Sequence, residues 1–320
     1  MEIWQGPIMI LWNHQRQALD LIDNNTIRNA SRSLVVMPPG AGKSEVACQS
    51  VLAWLRLSVS HRAVVCVPNR RLLGQFYSRL ASLTREPIAF EQGTRRPSSA
   101  DRIVLASQLS LIDRLSYYSI PDTLLIIDEV HHSNYDAPEF RRVLRKFERS
   151  IGLSATPWTN RINDLFSACY FYSLSNAVKD HVICPFDVKA ASALSPSVEY
   201  HTLVFVSSNK DAREKASRFV SSDWIGHRRE NSENLSVLDR WQTGKIKTIF
   251  ANRMLLEGYD TPLTSCVWID FDVSSVVMCA QMIGRALRYR PEKKANIYAL
   301  SAHTVEAVNE AICLMDCPPK

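Results

Sequence analysis

Eight short apolar and β-branched runs punctuate the chain: Leu34–Val36, Ala63–Val67, Ile103–Ala106, Leu124–Ile127, Leu203–Val206, Thr248–Ala251, Cys266–Ile269 and Asn296–Leu300. Runs this continuously apolar are strands buried on both faces, and the longer amphipathic helical patterns between them supply the cover. Strand and helix in alternation build mainly parallel sheets with helices on both faces, so the expected fold class is α/β. Between Ala190 and Tyr200 the alternation lapses into Ala-Ser-Ala-Leu-Ser-Pro-Ser, and it resumes at Thr202. This break predicts two domains, 1–194 and 195–320, each long enough for one doubly wound sheet.

Composition narrows the class further. With 320 residues and 46% hydrophobic content, two ordinary cores are within reach, which excludes a disordered tail, a small disulfide scaffold and a fibrous repeat. No uncharged apolar run approaches the roughly 18 residues that cross a bilayer, and Gly6–Trp12 lacks a basic leader and a small-residue cleavage site. The expectation is a soluble, cytoplasmic protein with no membrane partner. The eight cysteines are scattered and none forms a CxxC pair, which predicts reduced core thiols and no zinc site. A formal charge of +6 leans modestly toward a polyanionic partner.

Strand Ser33–Met37 runs into Pro38-Pro39-Gly40-Ala41-Gly42-Lys43-Ser44, followed by the helical pattern Glu45–Leu57. Gly40, Ala41 and Gly42 let backbone N–H groups curl around phosphate oxygens at a helix N-terminus. Lys43 reaches the β and γ phosphates, and the Ser44 hydroxyl suits Mg²⁺. Met37 takes the place of the first glycine of the strict P-loop pattern. The run Leu124–Ile127 ends in Asp128-Glu129-Val130-His131. Beside a P-loop, Asp128 is placed for a second Mg²⁺ contact and Glu129 to polarise an attacking water. Gln281, Arg285 and Arg288 stand at i, i+4 and i+7, so a helix over them presents all three on one face. That face is either a solvated basic surface or one that brings arginines to a transferring phosphoryl group.

In their order these motifs resemble a superfamily 2 DExH-box helicase over almost the whole chain, which implies two tandem RecA-like domains with ATP held in a cleft between them. The Leu11–Ala18 segment resembles the family's adenine-reading stretch and implies a nucleotide role for Gln15. Val65–Leu72 resembles the strand and turn that touch the nucleic-acid backbone, implicating Pro68, Asn69 and Arg70. The doubled His131-His132 resembles the DExH-His form, in which the first histidine couples the two sites. Gly152–Pro157 resembles the coupling motif, through Ser154 and Thr156. Leu203–Ser208 resembles the first strand of the second domain, with Ser207 toward nucleic acid. Glu257–Pro262 implicates Gly258 and Asp260 at the nucleotide, and Gln281–Arg288 supplies Gln281, Arg285 and Arg288 as catalytic residues.

The wording of several motifs, and of Tyr172–Asp180, is most similar to motor subunits of type I and type III restriction enzymes and related DNA-repair helicases. That resemblance implies ATP with Mg²⁺ as fuel, DNA rather than RNA as the track, and a nuclease or specificity subunit as partner. The alternative is an ATP-gated clamp that binds nucleic acid or a partner and hydrolyses slowly. Only 18 residues separate Pro262 from Gln281, so no long strand-splitting hairpin is expected there and unwinding by the chain alone is expected to be poor. Two positions depart from the family pattern: Leu256 and Asn252 stand where threonines are usual. Outside the motifs, Arg95, Arg96 and Arg102 are candidates for strand contacts and Trp158 for base stacking.

Overall fold

The computed structural model describes residues 11–68, 70–98, 100–114, 122–132, 138–157, 165–256, 261 and 263–319, with the side chains of Arg70, Arg71, His132 and Phe140 excepted. The chain forms two compact units. One draws its described residues from 1–37, 42–172 and 318–320, the other from 38–41 and 173–317.

The first unit begins with α1 (Asn13–Ile22), which runs through a single π-turn into the loop before β1 (Arg32–Val36). There follow α2 (Lys43–Leu57), β2 (Arg62–Val67), α3 (Arg70–Leu83), β3 (Ile88–Glu91), β4 (Ile103–Ser107), α4 (Gln108–Asp113), β5 (Thr123–Ile127), α5 (Pro138–Lys146), β6 (Arg149–Ser154) and β7 (Ala168–Phe171). Its seven described strands pair in parallel in the order β3-β4-β2-β5-β6-β1-β7. Leu34, Val36, Val64, Cys66, Leu125, Ile127 and Phe147 form one buried cluster under the helices. Gly152 is required in β6, because a Cβ there would stand 2.6 Å from the ring of Phe166.

The second unit contains α6 (Leu174–Lys179), β8 (Phe186–Ala190), β9 (Thr202–Val206), α7 (Asn209–Ala216), β10 (Ser222–Ile225), α8 (Asn231–Gln242), β11 (Thr248–Ala251), β12 (Cys266–Asp270), α9 (Val276–Gly284), β13 (Ala295–Ala299) and α10 (Ala302–Met315). The six described strands are parallel in the order β10-β11-β9-β12-β13-β8. Val204, Phe250 and Trp268 lie in its core, and Trp268 stacks on Tyr298 at 4.3 Å.

Both sheets are of the expected α/β class. The expected division at 194/195 falls inside the second unit, which takes up the chain at Ser173. The cause is β8, whose residues Phe186–Ala190 pair with β13. Just before it, the Cys184 N–H donates to the Leu287 carbonyl at 2.9 Å. The polar lapse at 191–197 is therefore a connection between two strands of one sheet.

Candidate nucleotide and nucleic-acid sites

Parallel α/β sheets bind ligands beyond the carboxyl ends of their strands, and the first unit gathers its motif residues there. In the register Val36 lies opposite Ser154, and Ile127 lies opposite Gly152, so β5, β6 and β1 end side by side. The P-loop leaves β1, the acidic pair leaves β5, and the coupling motif leaves β6 between them.

Gly40 and Gly42 have φ of +87° and +85°, the left-handed conformation that an L side chain resists. Gly42 caps α2, whose first turn opens on Lys43 and Ser44. The Lys43 ammonium is buried and donates to the Met37 carbonyl at 3.1 Å, folded into the loop it serves. Ser44 is exposed beside it. A Cβ at Gly42 would collide with Gln15 Nε2, so the Gln15 amide lies directly against the P-loop. Gln15 Oε1 accepts from the Trp12 N–H at 3.0 Å, which fixes the side chain at the start of α1. His14, one residue earlier, stacks on Tyr172 at 4.3 Å and pins α1 to the end of β7.

Asp128 is buried, and its N–H donates to the Cys66 carbonyl at 2.9 Å, extending the β5 and β2 pairing by one residue. Burial, and after it the Asp128 carboxylate, pushes the Cys66 thiol up to about 12, so this sulfur is an inert neighbour. Glu129 has φ +47°, a strained conformation for glutamate. Its Oε2 is buried with no hydrogen-bond partner among the described residues and lies 3.4 Å from His131 Nδ1. His131 Nδ1 also meets Ser154 Oγ at 3.0 Å. Ser154 Oγ accepts from the Thr156 N–H at 2.9 Å, while the Ser154 carbonyl accepts from the Met37 N–H at 3.2 Å. Ser154 thus joins the P-loop entry, the histidine and the coupling motif. Thr156 Oγ1 is a second buried polar atom with no partner among the described residues.

These residues fit a nucleotide with a divalent cation. Two positive-φ glycines open a cradle at a helix N-terminus, a lysine lies within it, the Ser44 hydroxyl stands in the first turn of that helix, the Asp128 carboxylate follows β5, and Glu129 Oε2 has no hydrogen bond among the described residues.

In the second unit the expectation of one helical face carrying Gln281, Arg285 and Arg288 is corrected. The helix α9 ends at Gly284, Arg285 caps it, and Arg288 forms an antiparallel bridge with Ile183. Three-residue hydrogen bonds tighten the turn, from Arg285 N–H to Met282 O and from Ala286 N–H to Ile283 O. Fully buried Ala286 and Leu287, together with the Cys184 bond to Leu287, draw the chain out of the helix there. The Arg285 guanidinium donates to the Leu256 carbonyl. Burial pulls Arg288 below the ordinary arginine value. Leu256 is itself buried, so its apolar side chain belongs to packing. Asn252, the other departure, accepts from the Arg253 N–H and donates to the Ser207 carbonyl at 2.9 Å, tying the ends of β11 and β9.

Pro68 is half-buried where β2 ends, and the Arg70 backbone begins α3. Asn69, Gly258, Asp260 and Trp158 lie outside the described residues. Arg102 is a structural staple: it pairs with Glu86 at 2.6 Å and donates to the carbonyls of Leu55, Ser58 and His61. Arg95 lies over the Phe90 ring at 5.9 Å. All eight cysteines are free thiols, and no group of three or more His, Cys, Asp or Glu among the described residues is arranged to hold a metal. Among those residues no helix is long and apolar enough to cross a membrane.

Comparison with known proteins agrees with this geometry. Residues 8–159 match the family described as Type III restriction enzyme, res subunit, and residues 189–290 match the Helicase conserved C-terminal domain. The chain is 21% identical over 350 residues to the "Putative ATP-dependent helicase IRC3" of Saccharomyces cerevisiae, covering 89% of this chain and 50% of that protein. It is 27% identical over 174 residues to the ATP-dependent DNA helicase mph1 of Neurospora crassa, covering 49% of this chain and 15% of that one. The chain therefore spans half or less of the curated relatives it matches. Among solved structures, the ATP-dependent Type ISP restriction-modification enzyme LlaBIII bound to DNA is similar with a TM-score of 0.76 and 14% identity, over 96% of this chain and 30% of that one. S. cerevisiae Dbp5 bound to RNA and ADP BeF3 is similar with a TM-score of 0.66 and 13% identity, over 96% and 88%. At such identities the likeness is one of fold, two parallel-sheet α/β domains in the tandem RecA-like pattern.

Proposed function

Because its two matched domains make the chain a member of the superfamily 2 helicases, we propose that it is an ATP-hydrolysing translocase or helicase that acts on nucleic acid, with DNA as its track. The observation that carries this reading is the bond between His131 and Ser154. It connects the strand end holding Asp128 and Glu129 to the coupling motif, whose own carbonyl holds the P-loop entry at Met37. A group at the P-loop can thereby be felt at Thr156 through three adjacent strand ends.

On this reading Lys43 leaves the Met37 carbonyl for the β and γ phosphates of ATP, and the backbone N–H groups of the glycine-rich turn hold the remaining oxygens. A Mg²⁺ held by Ser44 and Asp128 would supply charge neutralisation at those phosphates. Glu129, whose Oε2 has no hydrogen bond among the described residues, orients the attacking water and takes up its proton. Arg285 and Arg288 act on charge developing at the transferred group, and Gln15 contacts the base. Pro68, Arg70 and Ser207 face the nucleic-acid backbone. A DNA track is supported by the restriction-enzyme family match and by the likeness to the DNA helicase mph1 and to DNA-bound LlaBIII. The same likeness supports a nuclease or specificity subunit as a partner.

The test is ATPase turnover of the purified chain with and without single-stranded and duplex DNA and RNA. Strong stimulation by DNA is expected. Slow turnover indifferent to any nucleic acid would replace the motor with an ATP-gated clamp.

A further inference from the structure

The carboxyl edge of the second sheet holds a polar chain that no single motif contains. Three adjacent strands, β11, β9 and β12, end at Ala251, Val206 and Asp270. Asn252, just past β11, donates to the carbonyl of Ser207, just past β9, at 2.9 Å. The Ser207 hydroxyl donates to Asp211 Oδ2 at 3.2 Å. Asp211, in the first turn of α7, pairs with Lys215 one turn on at 2.9 Å, and Lys215 pairs with Asp270 at 2.6 Å. The result is a strap from Asn252 to Asp270 across three strand ends, with one ammonium between two carboxylates. Burial alone pulls the Lys215 ammonium down, but its hydrogen bonds to Asp270 and Asp211 outweigh this and hold it above the ordinary lysine value. It is charged throughout the physiological range.

The arrangement raises a chemical problem for the nucleic-acid role of Ser207. A phosphate oxygen only accepts hydrogen bonds, and the Ser207 proton is already given to Asp211. Two carboxylates beside the same strand ends would also repel a phosphodiester. Lys215 answers both difficulties. It neutralises Asp211 and Asp270 together, and it keeps Asp211 paired when the Ser207 proton turns to a different acceptor.

We propose that Lys215 is a positioning residue for nucleic-acid binding, holding Asp211 and Asp270 neutralised so that the Ser207 hydroxyl can exchange its carboxylate for a backbone phosphate. The inference rests on the reading of the chain as a nucleic-acid motor and adds to it a residue outside every helicase motif.

The experiment uses the full chain, a fluorescent oligodeoxythymidylate and anisotropy titrations over a range of salt. Lys215→Met is expected to raise the dissociation constant about tenfold or more, the size of one charge-assisted contact. The DNA concentration for half-maximal ATPase stimulation should rise in parallel, with a smaller fall in the rate at saturation. Lys215→Arg should bind nearly as the unaltered chain does. Lys215→Met combined with Asp211→Asn and Asp270→Asn should recover affinity, because the repulsion is gone; thermal melts of each variant separate this from a lysine that serves folding alone, for which affinity per folded chain would not change. Unaltered affinity in a folded Lys215→Met chain, or failure of the triple variant to recover, overturns the proposal. If the unaltered chain binds no nucleic acid, the functional reading itself falls, and this inference with it.

Discussion

His131 Nδ1 meets Ser154 Oγ at 3.0 Å although 23 positions separate them in the chain. Ser154 ends β6 and His131 lies in the short turn after β5, the strand that pairs with it, and Ser154 also accepts from Thr156 N–H and, through its carbonyl, from Met37 N–H. One small hydroxyl residue is therefore the junction of three motifs. Ser154→Ala removes the hydroxyl and keeps the carbonyl bond to Met37. The buried Thr156 N–H loses its acceptor, a loss of about 1–3 kcal/mol. The expected result is a large fall in nucleic-acid-stimulated ATPase with near-normal ATP affinity. Equal loss of stimulated and unstimulated turnover would show that the junction supports hydrolysis itself and not its coupling.

Lys43→Ala should reduce hydrolysis by about 10²–10³-fold, since the phosphates lose the cation buried in their cradle. Glu129→Gln should leave ATP binding intact and slow turnover, because Ser44, Asp128 and Lys43 are untouched while the amide cannot take up a proton. Filter binding of ATP and steady-state phosphate release separate the two effects. A Glu129→Gln chain with ordinary turnover would remove Glu129 from the chemistry.

Arg288→Ala should lower turnover far more than nucleotide affinity, because a finger arginine acts mainly on the transition state, at ~10³–10⁵ in rate. Arg285→Ala should do the same and also lower the melting temperature, since its guanidinium holds the Leu256 carbonyl beside α9. Kinetics and thermal melts on both variants distinguish the residues. Full stimulated ATPase in both would exclude the pair as fingers.

Lys293 gives a pH signature. Burial, and then the charges of Arg290 and Arg288 against the opposing influence of Cys184, brings its ammonium down to about 8. Below about pH 8 the group is protonated both folded and unfolded and imposes a constant penalty on the fold. Between about 8 and the ordinary lysine value of 10.5, the unfolded chain binds more protons than the folded one, so stability rises with pH. Denaturant unfolding should therefore show the chain gaining stability over this window relative to Lys293→Met. Parallel pH profiles for the two proteins would contradict the depressed value.

The strands that the apolar pattern marks and those it misses follow a physical rule. All eight predicted runs correspond to strands, and all eight lie inside their sheets. The elements left unmarked include β3, β7, β8 and β10, which are the four edges of the two sheets. An edge strand has one paired neighbour and a half-solvated surface, and these four are mostly half-buried, so their residues need not be continuously apolar. The fifth, β6, is central and buried, but Ser150 and Gly152 interrupt its pattern, and Gly152 is there to admit Phe166. The missed edge β8 displaced the expected domain boundary.

By itself the sequence determined the α/β class, the P-loop and the acidic strand end, because each is local: a few consecutive residues whose chemistry depends on their own backbone. Only the tertiary structure decided the rest. The turn that takes Arg288 off the α9 face depends on Cys184, far earlier in the chain, and the hydroxyl of Ser154 acquires its meaning from His131 in the turn that follows a neighbouring strand. The strap from Asn252 through Ser207, Asp211 and Lys215 to Asp270 has no spacing to read, since parallel pairing sets the ends of β11, β9 and β12 side by side only after the intervening helices have packed.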